Sequence, residues 1–263
     1  MKEVAEVLQP GPAEALGSLL DVEMPDLDRD GLPLLWHWFY LLDRPAQADL
    51  GPDGHPVSPE PGRCRMWAGG RVRTLGPLRC GLPAIRRTEV LSTQEKQGRT
   101  GRLTFVVTGH KIFQGGKVVV EEEQDIVYRD AASGPAKTAA EEPEAPVTED
   151  EWAIDVSPTL LFRFSALTYN AHRIHYDRDY ARDVEGYPGL LTHGPLQALA
   201  MAEAARRRGS GGELAFDYRL VSPLFDHQGM IVQAEAGAAE TVTAVRDRHG
   251  RRTAAGTVRS LGR

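Results

Sequence analysis

The chain has 263 residues, 41% hydrophobic and 26% charged, and a formal net charge of −6 at pH 7. This length suffices for one large domain or two of ordinary size, and the acidic balance excludes a dedicated nucleic-acid binder. No apolar run approaches the roughly 20 residues that a membrane-spanning helix needs, so we predict no membrane partner.

The N-terminal residues 1–26 are rich in Asp and Glu. That acidity is unlike either a signal peptide or a transit peptide. The two cysteines, Cys64 and Cys80, have neither metal-ligand spacing nor the density of a disulfide scaffold. We therefore expect a reduced, cytoplasmic setting.

The first half begins with a short helix predicted over 13–20. The run 32–42 is the most apolar and aromatic of the chain, and it either packs in the core or lines a pocket. Residues 43–63 are rich in Pro and Gly and predict a long loop, which in a compact domain is more often functional than idle.

Strand signals then dominate, because β-branched and aromatic residues recur in short segments. Gly115 and Gly116 predict a tight hairpin between the last two segments. The first half is therefore expected to form an antiparallel sheet. The predicted strands cover 66–75, 86–96, 103–113 and 117–128.

Residues 131–150 contain small residues, prolines and acids with almost no large apolar side chains. Such a composition does not offset the entropy of ordering, so we predict an exposed linker. The predicted domains are therefore 1–130 and 151–263, joined by 131–150. The two parts have similar lengths and strand content, which suggests a duplicated fold, although no residue-level repeat is visible.

The second half opens with a helix for which Ser157 is the predicted N-cap, and Asp177 is predicted to cap a shorter turn. Pro195 opens the longest helical pattern, 196–208, with Glu203 expected at the solvent-accessible margin of its apolar face. One long helix followed by a curling antiparallel sheet indicates the α+β class. The predicted strands of this half cover 214–221, 230–236, 240–246 and 252–261.

The stretch 164–194 concentrates the chemistry, with His172, His175, His193 and Asn170 ahead of Gly194 at a helix start. A histidine can remove a proton from carbon when a thioester carbonyl acidifies it and a backbone donor holds the oxyanion. The Gly194 amide at a helix N-terminus is such a donor. This combination favours enolate chemistry on a thioester.

A zinc site built from the three histidines is conceivable, yet no carboxylate or cysteine has the spacing to complete it. We therefore predict neither a metal nor a cofactor.

Three sequences in the chain resemble the MaoC-like family of hydratases and dehydratases with two hot-dog domains in one chain. They are Phe-Ser-Ala-Leu-Thr-Tyr-Asn-Ala-His-Arg-Ile-His-Tyr-Asp from residue 164, Val-Glu-Gly-Tyr-Pro-Gly-Leu from 184, and Met-Trp-Ala-Gly-Gly-Arg-Val from 66. The resemblance extends to type 2 hydroxyacyl-thioester dehydratases and to mesaconyl-C4-CoA and itaconyl-CoA hydratases. It implies a fold of two hot-dog domains, in which a curled sheet wraps a long helix and the first domain shapes the acyl tunnel without catalytic residues.

The resemblance also implies roles for residues. His175 takes the position of the catalytic histidine and Gly194 supplies the oxyanion amide. Asn170 stands where the family has its catalytic aspartate, and His172 stands at the position of its asparagine. Because a neutral amide cannot act as a base, our hypothesis is that His175 moves the proton while Asn170 and His172 position the substrate or the water.

Three further residues are candidate contacts to the substrate. Tyr169 could line the acyl tunnel or pack, and His193 could contact the substrate or be structural. Arg71 lies within a resembling segment and could bind a coenzyme A phosphate or a substrate carboxylate.

The predicted function is a hydro-lyase that adds water to a 2-enoyl thioester or removes it from a 3-hydroxyacyl thioester. The acyl group is expected to be small and branched or dicarboxylic, carried by coenzyme A or by an acyl carrier protein. The alternatives are a thioesterase and a non-catalytic thioester-binding or assembly subunit. A homodimer is a possible assembly, because antiparallel sheets of this kind often dimerise.

Overall fold

The computed structural model describes residues 1–57, 63–98, 101–130 and 143–262. Within these ranges the chain forms a large antiparallel sheet accompanied by short and medium helices. This architecture confirms the predicted α+β class.

The first half supplies one side of the sheet. The predicted ends of its helix and strands differ from the observed ends by at most three residues. Gly115 and Gly116 have φ values of 59° and 77°, so they form the predicted tight turn. The sequence pattern missed β1, because its residues Lys-Glu-Val-Ala-Glu-Val show no regular alternation of polar and apolar side chains. The elements are β1 (Lys2–Val7), α1 (Gly11–Leu20), β2 (Arg63–Thr74), β3 (Pro83–Gly98), β4 (Gly101–Gln114) and β5 (Lys117–Asp130).

In the second half, both predicted helix caps are confirmed. The Ser157 hydroxyl accepts a hydrogen bond from the Leu160 amide at 3.2 Å, and Asp177 accepts one from the Tyr180 amide at 3.0 Å. The elements are β6 (Trp152–Ile154), α2 (Pro158–Leu167), α3 (Arg178–Asp183), α4 (Gly194–Arg207), β7 (Leu214–Leu220), β8 (Met230–Ala236), β9 (Glu240–Arg246) and β10 (Arg252–Ser260).

One sheet runs through both halves, in the order β1-β3-β4-β5-β2-β7-β10-β9-β8-β6. The halves meet where β2 pairs with β7, with Gly69 opposite Arg219 and Arg73 opposite Ala215. Helix α4 packs against β7 to β10, and its Ala-rich buried side allows this close approach.

The register of β2 and β5 decides which side chains face inward. Cross-strand partners share a face, and the faces alternate along a strand. Val72 and Ile126 are buried and define the inner face. Tyr128 is two residues after Ile126 and pairs with Arg65, so Arg65 also lies on the inner face. A bulge between Trp67 and Gly69 shifts the alternation along β2, so Arg71, next to Val72, lies on the outer face.

Glu203 corrects one prediction, because its carboxylate is buried rather than solvent-accessible, with 1% exposure. It accepts a hydrogen bond from Trp36 Nε1 at 2.7 Å and pairs with Arg206 at 2.8 Å. Trp36 comes from the apolar run of the first half, which covers this side of α4. The helical pattern alone does not reveal that cover.

Residues 131–142 of the predicted linker lie outside the described residues. The remaining linker residues, 143–150, are mostly exposed. They are bound to the second half by two hydrogen bonds, from Ala145 N to Arg248 O and from the Arg246 side chain to Pro146 O. The division at 131–150 stays a prediction. Across the described ranges, the helices are all too short or too polar to cross a bilayer.

Candidate active site

The site begins where α2 ends and the backbone turns. Tyr169 has a φ of 52°, and the Asn170 amide donates to Ser165 O at 2.8 Å. The Asn170 side-chain oxygen then accepts from the His172 amide at 3.0 Å, as in an Asx turn. The oxygen of Asn170 is thus engaged in holding the backbone of the histidine segment.

His175 is held as a neutral base with a defined tautomer. Its side chain is buried, and Nδ1 lies 2.7 Å from Leu191 O. Because a carbonyl can only accept, Nδ1 carries the proton and Nε2 keeps the lone pair. The ring stacks on His193 with centroids 3.7 Å apart and meets His172 edge to face at 5.5 Å.

His193 is the N-cap residue of α4 and is fully buried. Its Nε2 lies 2.8 Å from the hydroxyl of Ser165 in α2. Its Nδ1 has no hydrogen-bond partner among the described residues. His193 thus ties α2 to the start of α4 and supports the ring of His175.

Gly194 is the first residue of α4. A helix start leaves its first amides without intrahelical acceptors, and Pro195 has no N–H, so the Gly194 N–H is available to an oxyanion. A Cβ at this position would lie 2.2 Å from Cδ1 of Leu220. Any larger residue would therefore force Leu220 to move.

All three predicted histidines are neutral at neutral pH. Burial lowers the pKa of His175 to about 4. Burial, followed by the charges of His55 and His175, lowers the pKa of His172 to about 2. Burial also lowers the pKa of His193 well below its ordinary value. The cluster therefore offers lone pairs to protons rather than fixed positive charge.

A loop of the first half adds two residues that the sequence analysis did not single out, Asp53 and His55. The ring of His55 lies 3.8 Å from that of His172. The Arg173 amide donates to Asp53 O at 2.9 Å. The Pro- and Gly-rich composition of 43–63 predicted a functional loop, but no local pattern indicates which part of the protein this loop contacts.

The same loop creates the one group of possible metal ligands found among the described residues. Ligand atoms of Asp53, His55 and His172 all lie within 4.8 Å of one another. The planes of the two imidazole rings are only 35° apart, so their in-plane lone pairs do not converge well on one ion. The positive charge of Arg65 also lowers the pKa of both histidines. Both features oppose a bound cation.

The structure brings together Asn170, His172, His175, His193 and Gly194. Tyr169 adjoins them in the chain, and its side chain is 54% exposed.

Arg71 does not join this group, because strand alternation places it on the outer face of the sheet. There its guanidinium donates to Glu123 at 2.8 Å and to Asp125 at 2.9 Å. The two carboxylates already neutralise it, so the predicted role of Arg71 in substrate binding has no support from the structure.

Comparison with known proteins places these features in context. The family model of hydroxyacyl-thioester dehydratase type 2 matches residues 35–226. A protein of Chloroflexus aurantiacus named mesaconyl-C(4)-CoA hydratase is 49% identical over 201 residues, which cover 74% of this chain and 71% of that protein. The mitochondrial hydroxyacyl-thioester dehydratase type 2 of Schizosaccharomyces pombe is 26% identical over 262 residues, covering 85% and 86% of the two chains.

Solved structures of low sequence identity share the fold. A MaoC-like dehydratase from Phytophthora capsici aligns with a TM-score of 0.71 at 15% identity, covering 100% of this chain and 96% of that one. HtdX of Mycobacterium tuberculosis aligns with a TM-score of 0.68 at 16% identity, covering 99% and 100%. Another M. tuberculosis protein, described as a double hot-dog fold, aligns with a TM-score of 0.54 at 16% identity, covering 97% and 93%. These alignments confirm the predicted pair of hot-dog folds.

Proposed function

The chain belongs to the family of type 2 hydroxyacyl-thioester dehydratases and is a hydro-lyase of acyl thioesters, and on that premise we propose that His175 moves the proton of the reaction. The observation that carries this proposal is the hydrogen bond between His175 Nδ1 and Leu191 O. This bond leaves a free lone pair on Nε2 of His175, beside the start of α4, where the Gly194 amide is available.

In the dehydration direction, His175 Nε2 takes the proton from the α-carbon of the 3-hydroxyacyl thioester. The electron pair moves into the carbonyl, and the Gly194 N–H together with the dipole of α4 stabilises the enolate oxygen. The enolate then expels the β-oxygen. The imidazolium of His175 returns its proton to that oxygen, so water leaves and the histidine is again neutral. Hydration follows the same steps in reverse.

The other predicted residues surround this exchange. In our proposal Asn170 and His172 position the substrate or the water, and His193 holds the plane of the His175 ring. Tyr169 lines the entrance to the acyl tunnel, and the first half shapes that tunnel without a catalytic motif of its own.

We further propose that the acyl group is small and dicarboxylic. The relative that is 49% identical is named for a mesaconyl thioester. Arg65 gives independent support: it is exposed to solvent on the face of β2 that also carries Val72, and its positive charge acts on His55 and His172. A carboxylate at the far end of the acyl group would accept charge-assisted hydrogen bonds from this guanidinium.

A matched pair of substrates tests this proposal. Mesaconyl-C4-CoA and 3-methylcrotonyl-CoA differ in having a carboxylate or a methyl group on the carbon that accepts water. We expect loss of the enoyl absorbance without release of thiol, and kcat/KM at least about a hundredfold higher for the dicarboxylic thioester, as for truncation of a charged hydrogen-bonded pair. Equal efficiency would contradict a dicarboxylic substrate. Release of thiol would indicate a thioesterase, and an unchanged spectrum a binding subunit.

The carrier and the assembly complete the proposal. We propose coenzyme A as the carrier and a homodimer acting in the cytoplasm, within fatty acid metabolism. The exposed edge strand β1 gives the sheet a surface for pairing. Comparison of the coenzyme A and acyl-carrier-protein thioesters tests the carrier, and light scattering after size-exclusion chromatography tests the dimer.

A further inference from the structure

The first-half loop of residues 49–57, here called the 49–57 loop, lies directly against the histidine segment. The Arg173 side chain donates to Pro52 O at 3.1 Å, in addition to the contact between its amide and Asp53 O. Gly54 has a φ of 84°, and a Cβ there would lie 1.8 Å from Ala171 O. The backbones are thus too close for any side chain, which fixes the loop relative to the motif.

The 49–57 loop is also held from within. The Gly51 amide donates to His55 O at 2.7 Å, and the Val57 amide donates to Asp49 O at 2.9 Å. The His55 amide donates to the Asp53 carboxylate at 3.1 Å. Backbone bonds of this kind position His55 before any substrate arrives.

His55 and Asp53 form a pair next to the histidines that include the proposed base, His175. Asp53 Oδ2 lies 3.6 Å from His55 Nδ1, and the side chain of His55 is 22% exposed. The His55 ring contacts His172, which in turn contacts His175. A carboxylate beside Nδ1 favours the tautomer with the proton on Nδ1, so Nε2 of His55 remains an acceptor.

The pair adds a carboxylate and an imidazole next to the histidine segment, whose residues 170–175 include no acid. Asn170 is a neutral amide, and its oxygen is engaged by the backbone amide of His172. Asp53 is a carboxylate at the histidine cluster, and it comes from the other half of the chain. It provides a carboxylate, which residues 170–175 do not contain.

We propose that His55, oriented by Asp53, binds the water that is added to or expelled from the substrate. This inference rests on the proposed role of His175 and adds a second group that contacts the reacting oxygen. His55 is thereby a catalytic residue contributed by the first half, and Asp53 is its positioning residue.

In the hydration step, one proton of the water is transferred, by way of His175. The water oxygen forms a bond to the β-carbon while one of its protons moves to His175 Nε2 and the π electrons become the enolate. The second hydrogen of the water stays on the oxygen and is donated to His55 Nε2 throughout. His175 then gives its proton to the α-carbon. His55 gains no proton, yet it stabilises the oxygen while positive charge develops there.

Two reactions of the protein separate the roles of His55 and His175. The first is hydration of the enoyl thioester. The second is exchange of the α-hydrogens in D₂O on the saturated analogue of the substrate, which needs a base and an oxyanion donor but no nucleophilic water. We expect His55→Ala to lower kcat for hydration about a hundredfold, the lower end of acid–base effects, with KM and the exchange rate within about threefold.

Conservative variants extend the test. His55→Gln retains an oxygen that can accept from the water, so it should recover about tenfold of the kcat lost in His55→Ala. Asp53→Asn should lower kcat for hydration with exchange unchanged, because His55 then populates its other tautomer. His227→Ala, altered at a half-exposed histidine outside the cluster, is the matched control and should behave as the parent protein.

Three results would overturn the role of His55. They are unchanged hydration in His55→Ala, an equal loss of hydration and exchange, and inactivation of the parent protein by a chelator with reactivation by Zn²⁺. The role of His175 fails separately, if His175→Ala retains exchange. Thermal unfolding of each variant shows whether an equal loss of hydration and exchange comes from misfolding. If His55→Ala is misfolded, the result for His55→Gln decides the outcome.

Discussion

The imidazole ring of His175 stacks on that of His193 at a centroid distance of 3.7 Å with 19° between the ring planes. Two imidazolium cations in this arrangement would repel each other strongly, so the pair accommodates at most one positive charge. Ser165 orients His193 from one side, and Leu191 O orients His175 from the other. The stack therefore fixes the plane of the base and keeps its supporting ring neutral during the reaction.

Loss of the base is the first prediction. His175→Ala should lower kcat for hydration by about 10³-fold, within the range of general acid–base catalysis, because no other described side chain takes its place beside Gly194. Steady-state kinetics on the preferred thioester measure this change, with His227→Ala as the control variant. Hydration at more than a tenth of the parental rate would contradict the assignment of His175.

Substitution at Asn170 distinguishes a turn residue from a base. Asn170→Asp keeps an oxygen that accepts from the His172 amide, whereas Asn170→Ala removes it. We expect Asn170→Asp to stay within about tenfold of the parental kcat and Asn170→Ala to lose more, because loss of an amide-to-side-chain hydrogen bond costs about 1 kcal/mol and displaces the segment. A reversed order of the two variants would show that the amide nitrogen carries the function.

Arg65 gives a prediction about specificity. Arg65→Gln should raise KM for mesaconyl-C4-CoA by about ten- to a hundredfold, the effect of losing a hydrogen-bonded charge, and leave KM for 3-methylcrotonyl-CoA unchanged. Arg71→Gln is the matched control on the outer face of the same strand. Equal effects of Arg65→Gln on both thioesters would place the substrate carboxylate elsewhere.

The neutral histidines predict a loss of stability in acid. The pKa of His175 is about 4 in the folded protein and about 6.5 when unfolded, so between these values the unfolded chain binds the extra proton. Stability is then fully present above about pH 6.5 and falls toward pH 4 by up to about 1.4 kcal/mol per pH unit for this residue. The pKa of His193 is lowered too, and its effect has the same sign.

Urea unfolding at about pH 7.5 and about pH 5 measures this dependence. His175→Gln does not titrate, so it should show a shallower loss between the two conditions than the parent protein. His227→Gln should show the parental slope. An identical slope in His175→Gln would mean that the imidazole is hydrated in the folded state.

The contact between Trp36 and Glu203 predicts a cost in stability. Trp36→Phe keeps an aromatic ring but removes the N–H that Glu203 accepts, which leaves a buried carboxylate with Arg206 alone. The free energy of unfolding should fall by about 2 kcal/mol, as for a hydrogen bond to a charged group. Trp152→Phe, at a partly buried ring stacked on Arg207, should cost about 1 kcal/mol or less. Equal losses would contradict the assigned role of the Trp36 N–H.

The sequence determined what depends on neighbouring residues in the chain. Helix α2 begins at the cap that Ser157 provides, and α4 begins at Gly194 with Pro195, because capping and fixed φ angles act within one turn. The motif from Asn170 to Gly194 was recognisable for the same reason. Its spacing is local, and the order of histidine, glycine and helix start indicates thioester chemistry.

The tertiary structure decided what depends on distant partners. Arg65 and Arg71 look alike in the sequence, but a bulge between Trp67 and Gly69 in the pairing of β2 with β5 places them on opposite faces, and only Arg71 forms ion pairs with Glu123 and Asp125. Glu203 lies at the margin of the apolar face of its helix, yet Trp36 covers it. Asp53 and His55 lie in a loop with no periodic signal, and only backbone contacts between the two halves bring them to His172. Long-range pairing of this kind leaves no trace in local composition.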